Sequence, residues 1–319
     1  MVEASQKNSK CHVMNFRPFI DINAPVISPY KSSDPYELDV SIIPGYARDL
    51  VAQGIKGIFL CGTNGESVSL TKEERKQLLE AWIKTPEYQS KSLRIIAHIG
   101  HHCLKDTIDL ASHAVNSGIE AIAIMPPSFF RPQNESQAAE YIVEIAKRFP
   151  NTAIYYYHFP SMTNVRINLS KTLEIANKES PNIIGAKFSD IDMIDLGSCA
   201  SKGFNMLIGN DSLFLPGLVS GASGLIAIQC NFNAAFPLEI WNSFQKGDLP
   251  KAMKYQQKSR EFVSLVRSFG VTGAITREAT KLLRGLETGI TRLPQKYLSE
   301  KEKESFKNEV EKWLKENSS

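Results

Sequence analysis

One lysine lies inside a segment that is otherwise apolar. In the stretch PNIIGAKF, which ends at Phe188, Lys187 is the only charged residue. Lysine is seldom fully buried, because removing the ammonium group from water is costly unless the charge is paired or neutralised. Desolvation lowers the pKa of the amine and leaves a neutral nucleophile that can attack a carbonyl carbon. Lys187 is therefore a candidate catalytic residue, and a strand-end lysine that reaches solvent is the structural alternative.

A glycine precedes this lysine on the same predicted strand. Gly185 lies two residues before Lys187, and alternation along a strand places both residues on one face. Because glycine has no side chain, we expect room for a substrate beneath Lys187.

A tyrosine ends the preceding predicted strand. The segment YYYHFP is rich in β-forming residues and is stopped by Pro160. Tyr157 and Lys187 thus lie at the carboxyl ends of neighbouring strands, where parallel α/β barrels keep their chemistry. We expect the two side chains to lie within reach of each other, whereas Tyr155 and Tyr156 are expected to be core residues.

A glycine-flanked turn follows another apolar run. In CGTNGE, which ends at Glu66, the two glycines flank Thr63 and Asn64 and allow a tight turn. Backbone N–H groups and a hydroxyl in such a turn can converge on an anion. The turn is therefore a candidate site for an anion, although a G-x-x-G pattern alone has low specificity.

Short apolar runs alternate with longer segments of helical period, which is typical of parallel strands joined by crossover helices. Strands are predicted at 19–27, 55–61, 93–99, 119–125, 152–158, 183–188, 204–209 and 224–228. Helices are predicted at 39–53, 71–84, 103–117, 135–149, 169–179, 191–200 and 211–220. Eight such strands close a barrel, so the predicted fold class is α/β, a (β/α)8 TIM barrel with a C-terminal helical extension.

The chain is predicted to have three segments. Residues 1–16 are expected to form a flexible N-terminal segment, residues 17–231 the barrel, and residues 232–319 helices packed on the barrel. Capping boxes predict two helix starts, one formed by Thr71 and Glu74 and the other by Ser299 and Glu302. Gly54 and Gly118 are predicted to end helices that lead into strands.

Composition indicates a protein that binds neither nucleic acid nor membranes. The 319 residues are 42% hydrophobic and carry a net charge of +3, so no strong electrostatic attraction to polyanions is expected. No run is long and apolar enough for a membrane span, and a cytoplasmic location is expected. The five cysteines are odd in number and scattered, which favours reduced thiols.

Taken together, the segments GTNGE, YYYHFP and GAKFSD resemble the N-acetylneuraminate lyase and dihydrodipicolinate synthase family over nearly the whole chain. The resemblance implies a class I aldolase in which Lys187 forms an imine with a 2-oxo acid and Tyr157 shuttles the proton. It also implies that Thr63 and Asn64 hold the substrate carboxylate. The resemblance also implies a homotetramer and a reaction that uses neither a cofactor nor a metal.

Within this family the chain is most similar to the animal-type lyases, which implies cleavage of N-acetylneuraminate to N-acetylmannosamine and pyruvate. Gly209 and Asp211 correspond to substrate-binding positions, and Ser189 is a further candidate because it shares the face of the lysine. Two positions that contact the polyol in these lyases carry other residues in this chain, namely Ser212 and Ile228. An aldolase for a 2-oxo acid with a less polar aldehyde part, such as a 4-hydroxy-2-oxoglutarate-like or 2-keto-3-deoxy sugar acid, therefore remains an alternative. A non-catalytic barrel that binds 2-oxo acids is the alternative from another class.

Histidines after the third predicted strand have the ligand types of a metal site. The cluster comprises His98, His101, His102 and Cys103. No carboxylate accompanies it in the sequence, and a lysine imine needs no metal, so no metal site is predicted. Asp190 and Asp192 precede a predicted helix and are interpreted as caps.

Overall fold

A computed structural model describes residues 16–270 and 272–317 of the chain. Residues 1–15 of the predicted N-terminal segment lie outside this range. Eight parallel strands form a closed barrel in sequential order, β1 pairing with β8, which confirms the predicted fold class. The strands are β1 (Asp21–Ala24), β2 (Gly57–Leu60), β3 (Arg94–His98), β4 (Ala121–Ile124), β5 (Ala153–His158), β6 (Ile183–Phe188), β7 (Asn205–Ile208) and β8 (Gly224–Ile226).

Nine α-helices connect or flank the strands in the described residues up to β8. They are α1 (Ile43–Ala52), α2 (Lys72–Ile83), α3 (Pro86–Gln89), α4 (Leu104–Asn116), α5 (Glu135–Ala146), α6 (Pro160–Thr163), α7 (Leu169–Glu179), α8 (Met193–Ser201) and α9 (Phe214–Val219). The short helices α3 and α6 were not predicted, because one turn is too short to show a helical period. Short 3-10 helices cover Val40–Ile42, Ser67–Ser69, Asp211–Leu213 and Ile228–Asn231.

Four helices follow the barrel: α10 (Ala235–Gln245), α11 (Leu249–Ser268), α12 (Thr272–Arg284) and α13 (Glu300–Glu316). Apolar side chains of α11, α12 and α13 share one buried cluster with Ile228 and Phe232, which lie just after β8. No helix among the described residues is both long and apolar enough to span a membrane.

Local sequence signals set several helix ends. Both predicted capping boxes are present, with Thr71 accepting from the Glu74 N–H and Ser299 from the Glu302 N–H. Gly54 has φ of +91° and Gly118 has φ of +82°, as expected for glycines that end helices. These ends deliver the chain to the amino ends of β2 and β4.

Two apolar layers surround the strands. One layer lies between the strands and the outer helices and includes Tyr156. The other fills the inside of the barrel and includes Phe59, Tyr155 and Tyr157. Alternation along β5 therefore sends Tyr156 outward and places Tyr157 with the interior side chains.

Candidate active site

Lys187 and Tyr157 lie side by side at the carboxyl end of the barrel. They are register partners on β6 and β5. The Lys187 Nζ atom lies 4.3 Å from the centroid of the Tyr157 ring and 3.9 Å from the centroid of the Phe59 ring on β2. The prediction that neighbouring strands bring the amine and the phenol together is confirmed.

The Lys187 amine is removed from water. Lys187 is only 3% exposed. Burial lowers the pKa of Lys187 from 10.5 to about 7, and the negative charge of Asp211 acts in the opposite direction. Because this pKa lies near neutrality, an appreciable share of the amine is unprotonated and nucleophilic at physiological pH.

The Tyr157 phenol is hydrogen-bonded to the candidate carboxylate turn. Its oxygen lies 3.0 Å from Thr63 Oγ1. Burial raises the pKa of Tyr157 to about 12, while the hydroxyls of Thr63 and Ser189 lower it. The isolated site therefore holds a protonated phenol next to an amine of which an appreciable share is neutral near pH 7.

The turn after β2 lies over these two side chains. A Cβ atom on Gly62 would lie 2.7 Å from a carbon of the Phe59 ring and 3.8 Å from Lys187 Nζ, so the bare glycine allows the close approach. Asn64 is buried, and its Oδ1 atom has no hydrogen-bond partner among the described residues. The turn therefore carries a buried amide whose oxygen has no partner, next to the Thr63 hydroxyl that contacts Tyr157.

Three further predicted positions follow β6 and β7 at the same end of the barrel. A Cβ atom on Gly209 would lie 1.9 Å from Ser189 Oγ, so the Ser189 hydroxyl occupies the space that a Gly209 side chain would need. Asp211 is 1% exposed, and its Oδ1 accepts a 3.0 Å hydrogen bond from the Gln229 N–H. Its Oδ2 lies 3.6 Å from Arg267 Nη2 on α11. Burial raises the Asp211 pKa, and Arg267 lowers it.

The prediction that Gly185 leaves room for a substrate is wrong. A Cβ atom at this position would lie 1.9 Å from the backbone oxygen of Asn205 on the neighbouring strand. The Asn205 side chain in turn accepts a 2.8 Å hydrogen bond from the Tyr155 hydroxyl. The missing side chain therefore lets β7 approach β6, and the barrel below Lys187 is filled.

His98 is part of this site rather than of a histidine cluster. Its Nδ1 lies 2.7 Å from the Cys61 carbonyl oxygen, which can only accept, so Nδ1 carries the proton. The His98 ring packs edge-on against the Tyr157 ring at a centroid distance of 5.6 Å. Burial lowers the His98 pKa well below its usual value. The packing of His98 against Tyr157 was not predicted from the sequence. The position of His98 at the carboxyl end of β3 was the available signal.

The next histidine of the cluster, His101, makes local contacts. His101 Nδ1 accepts a 3.0 Å hydrogen bond from the Cys103 N–H. Asp106 lies 3.6 Å from His101 Nδ1, so a carboxylate does accompany the cluster, contrary to the sequence expectation. Residues 16–270 and 272–317 contain no group of three or more His, Cys, Asp or Glu side chains that could hold a metal ion.

The two aspartates after β6 differ in role. Asp192 accepts from the Ile194 and Asp195 N–H groups and caps α8, as predicted. The Asp190 carboxylate instead lies 3.4 Å from His158 Nε2, so its interpretation as a helix cap is wrong.

A closed (β/α)8 barrel that holds a desolvated lysine beside a buried tyrosine is the arrangement of a class I aldolase, a carbon-carbon lyase. The chain belongs to the dihydrodipicolinate synthetase family, whose sequence model matches residues 18–313. An N-acetylneuraminate lyase of Gallus gallus is 36% identical over 262 residues, which cover 81% of this chain and 84% of the relative. That of Rattus norvegicus is 34% identical over 263 residues, covering 81% and 82%.

Solved structures agree with this placement. The Proteus mirabilis N-acetylneuraminate lyase has a TM-score of 0.85 and 26% sequence identity, and the match covers 93% of this chain and 99% of that one. The N-acetylneuraminate lyase of Aliivibrio salmonicida has a TM-score of 0.85 and 28% identity, with 93% and 97% covered.

Proposed function

We propose that this chain is an N-acetylneuraminate lyase that cleaves its substrate to N-acetylmannosamine and pyruvate through a Schiff base at Lys187. The observation that carries the proposal is the buried amine, with a pKa of about 7, in contact with the Tyr157 ring. Similarity to the lyases of Gallus gallus and Rattus norvegicus supports the choice of substrate.

The reaction balances with these two residues alone. The Lys187 amine adds to the C2 carbonyl, and the carbinolamine loses water by taking the Tyr157 proton, which leaves an iminium cation beside a phenolate. The raised pKa of the free phenol is then offset by the adjacent positive charge. The phenolate removes the C4 hydroxyl proton as the C3–C4 bond breaks, and the electron pair enters the enamine. Tyr157 returns this proton to C3, and water then releases pyruvate and regenerates the amine and the phenol.

The other predicted residues bind the substrate in this proposal. Thr63 and Asn64 hold the carboxylate next to the imine carbon. Ser189, Gly209 and Asp211 contact the aldehyde portion. The chemistry requires no metal, so a chelator should leave turnover unchanged. We also propose a cytoplasmic homotetramer.

A second candidate substrate is a 2-oxo acid with a less polar aldehyde portion. It is favoured by the apolar, buried Ile228 after β8 and by Ser212, which has no acidic group. Each missing polar partner would weaken polyol recognition by about 1 to 3 kcal/mol.

Borohydride reduction in the presence of pyruvate tests the Schiff base. A stable adduct located at Lys187 by peptide mass spectrometry is expected, and an unmodified Lys187 overturns the proposal and leaves a non-catalytic barrel that binds 2-oxo acids. Turnover of N-acetylneuraminate is then compared with that of 4-hydroxy-2-oxoglutarate and 2-keto-3-deoxy sugar acids. A higher kcat/KM for one of the latter replaces the substrate assignment but keeps the aldolase chemistry.

A further inference from the structure

A buried ion pair connects the turn after β2 to helix α12 of the C-terminal region. Glu66 Oε1 accepts hydrogen bonds from Arg277 Nη2 at 2.7 Å and from Arg277 Nε at 3.1 Å. The two side chains are 1% and 0% exposed. Charges at this depth are retained only with close partners, because removal from water is costly.

Arg277 also donates hydrogen bonds to backbone carbonyls of two other segments of the chain. Its Nη2 donates to the Ser28 carbonyl at 2.9 Å, and its Nη1 donates to the Thr288 carbonyl. The Ser28 hydroxyl in turn donates to the Gly65 carbonyl at 2.6 Å. Arg277 therefore fixes Glu66 directly and the preceding residue, Gly65, through Ser28.

The backbone of Glu66 needs such a restraint. Its φ of +52° and ψ of +39° lie in the left-handed region, which residues with a Cβ atom adopt infrequently. In this conformation the Glu66 N–H donates to the Thr63 carbonyl at 3.0 Å and closes the turn. Thr63 Oγ1 then reaches the Tyr157 phenol oxygen at 3.0 Å. A continuous series of contacts thus leads from Arg277 to the side chains beside Lys187.

We propose that Glu66 and Arg277 are positioning residues that hold the carboxylate-binding turn in its active geometry. The inference rests on the proposed function, since it assigns the turn to the pyruvate carboxylate. The inference gives α12 a supporting role at the active site through Arg277, although neither Glu66 nor Arg277 contacts the reacting atoms. Loss of the ion pair should weaken binding of the carboxylate more than it slows the chemistry at Lys187.

Glu66→Gln tests this role because it preserves the side-chain shape and removes the charge. The pyruvate concentration for half-maximal borohydride trapping should rise about ten-fold or more, with trapping at saturating pyruvate within about three-fold of wild type. A double variant, Glu66→Met with Arg277→Met, replaces the pair by apolar side chains of similar length and avoids an unpaired buried charge. It should show the same rise. Circular dichroism confirms the native fold of each variant at the assay temperature.

Asp49→Asn is the matched control. The Asp49 carboxylate on α1 lies 3.1 Å from Nε of Arg284, which is on α12 like Arg277. This variant therefore also removes a contact between α12 and the barrel. Its half-maximal pyruvate concentration should stay within about two-fold of wild type. Folded Glu66 variants that match this control overturn the inference while a wild-type adduct leaves the proposed function intact. Absence of the adduct in the wild-type protein overturns both.

Discussion

Lys187 and Tyr157 lie next to each other on the adjacent strands β6 and β5, with the Lys187 Nζ atom 4.3 Å from the centre of the Tyr157 ring. Strand register fixes this contact, so no loop movement is needed to bring the amine and the phenol together. The ring of Phe59, which lies on a third strand, β2, also covers the amine. Burial of the amine, which the rigid strands enforce, is the physical origin of its lowered pKa.

Replacement of Lys187 by methionine should change how stability depends on pH. The pKa of Lys187 is about 7 in the folded protein, below its ordinary 10.5, so between these values the unfolded chain binds a proton that the folded chain does not. Wild-type stability should therefore rise with pH from 7 towards 10.5, with a slope of at most about 1.4 kcal/mol per pH unit. Lys187→Met should be more stable than wild type at pH 7 and lose this advantage as pH rises.

Urea unfolding of both proteins at several pH values in that range measures the effect. Lys56→Met removes an exposed lysine, and its stability relative to wild type should not vary with pH in this way. A constant difference between Lys187→Met and wild type across the range would mean that the amine remains charged in the folded protein.

Tyr157→Phe should abolish most lyase turnover while it leaves the fold intact. The ring that contacts Lys187 is preserved, but the proton carrier is lost, and turnover should fall by about 10² to 10⁴. Loss of the hydrogen bond to Thr63 should reduce the free energy of unfolding by about 1 kcal/mol.

Tyr156→Phe is the control for this substitution. The Tyr156 hydroxyl is buried on the other side of β5 and has no hydrogen-bond partner among the described residues. Its removal should leave turnover unchanged and stability equal or higher. Equal turnover of Tyr157→Phe and Tyr156→Phe would exclude Tyr157 as the proton carrier.

The sequence was sufficient to predict the fold and the central pair of residues. Alternating apolar runs and helical segments located all the strands, and β6 was predicted with its observed bounds. Lys187 was identifiable because a single charge in an apolar strand is physically unusual. The Tyr157 position followed from the stop at Pro160, since the carboxyl ends of neighbouring parallel strands meet at one edge.

Features that depend on long-range packing were not predictable. The Glu66–Arg277 ion pair joins residues far apart in sequence, and neither residue type indicates its partner. The orientation of His98 depends on the Cys61 carbonyl, a backbone group with no sequence signal. For Gly185, the sequence showed that a side chain was missing, but only the position of β7 shows what occupies the space.

Asp211→Asn should lower the pH at which Lys187 becomes reactive. The charge of Asp211 raises the pKa of Lys187 against the larger effect of burial, and asparagine removes that charge while keeping an acceptor for the Gln229 N–H. The midpoint of the rate of borohydride trapping against pH should therefore move from about 7 to a lower value. Asp192→Asn, at the cap of α8, should leave the midpoint in place. An unchanged or higher midpoint in Asp211→Asn contradicts the electrostatic coupling.

Gly185→Ala should destabilise the barrel, because the added methyl group would lie 1.9 Å from the Asn205 backbone oxygen and 2.7 Å from its carbonyl carbon. Backbone atoms of β7 cannot rotate away as a side chain can, so β6 and β7 must separate at a cost of about 1 to 3 kcal/mol or more. Gly45→Ala in α1 is the matched control. Outside the adjoining residues and the backbone of its own helix, no atom lies within 4 Å of the added methyl group, and the variant should gain about 0.5 to 1 kcal/mol from the lower chain entropy of alanine. Urea unfolding measures both variants. A Gly185→Ala protein as stable as wild type would show that the space beneath Lys187 is open after all.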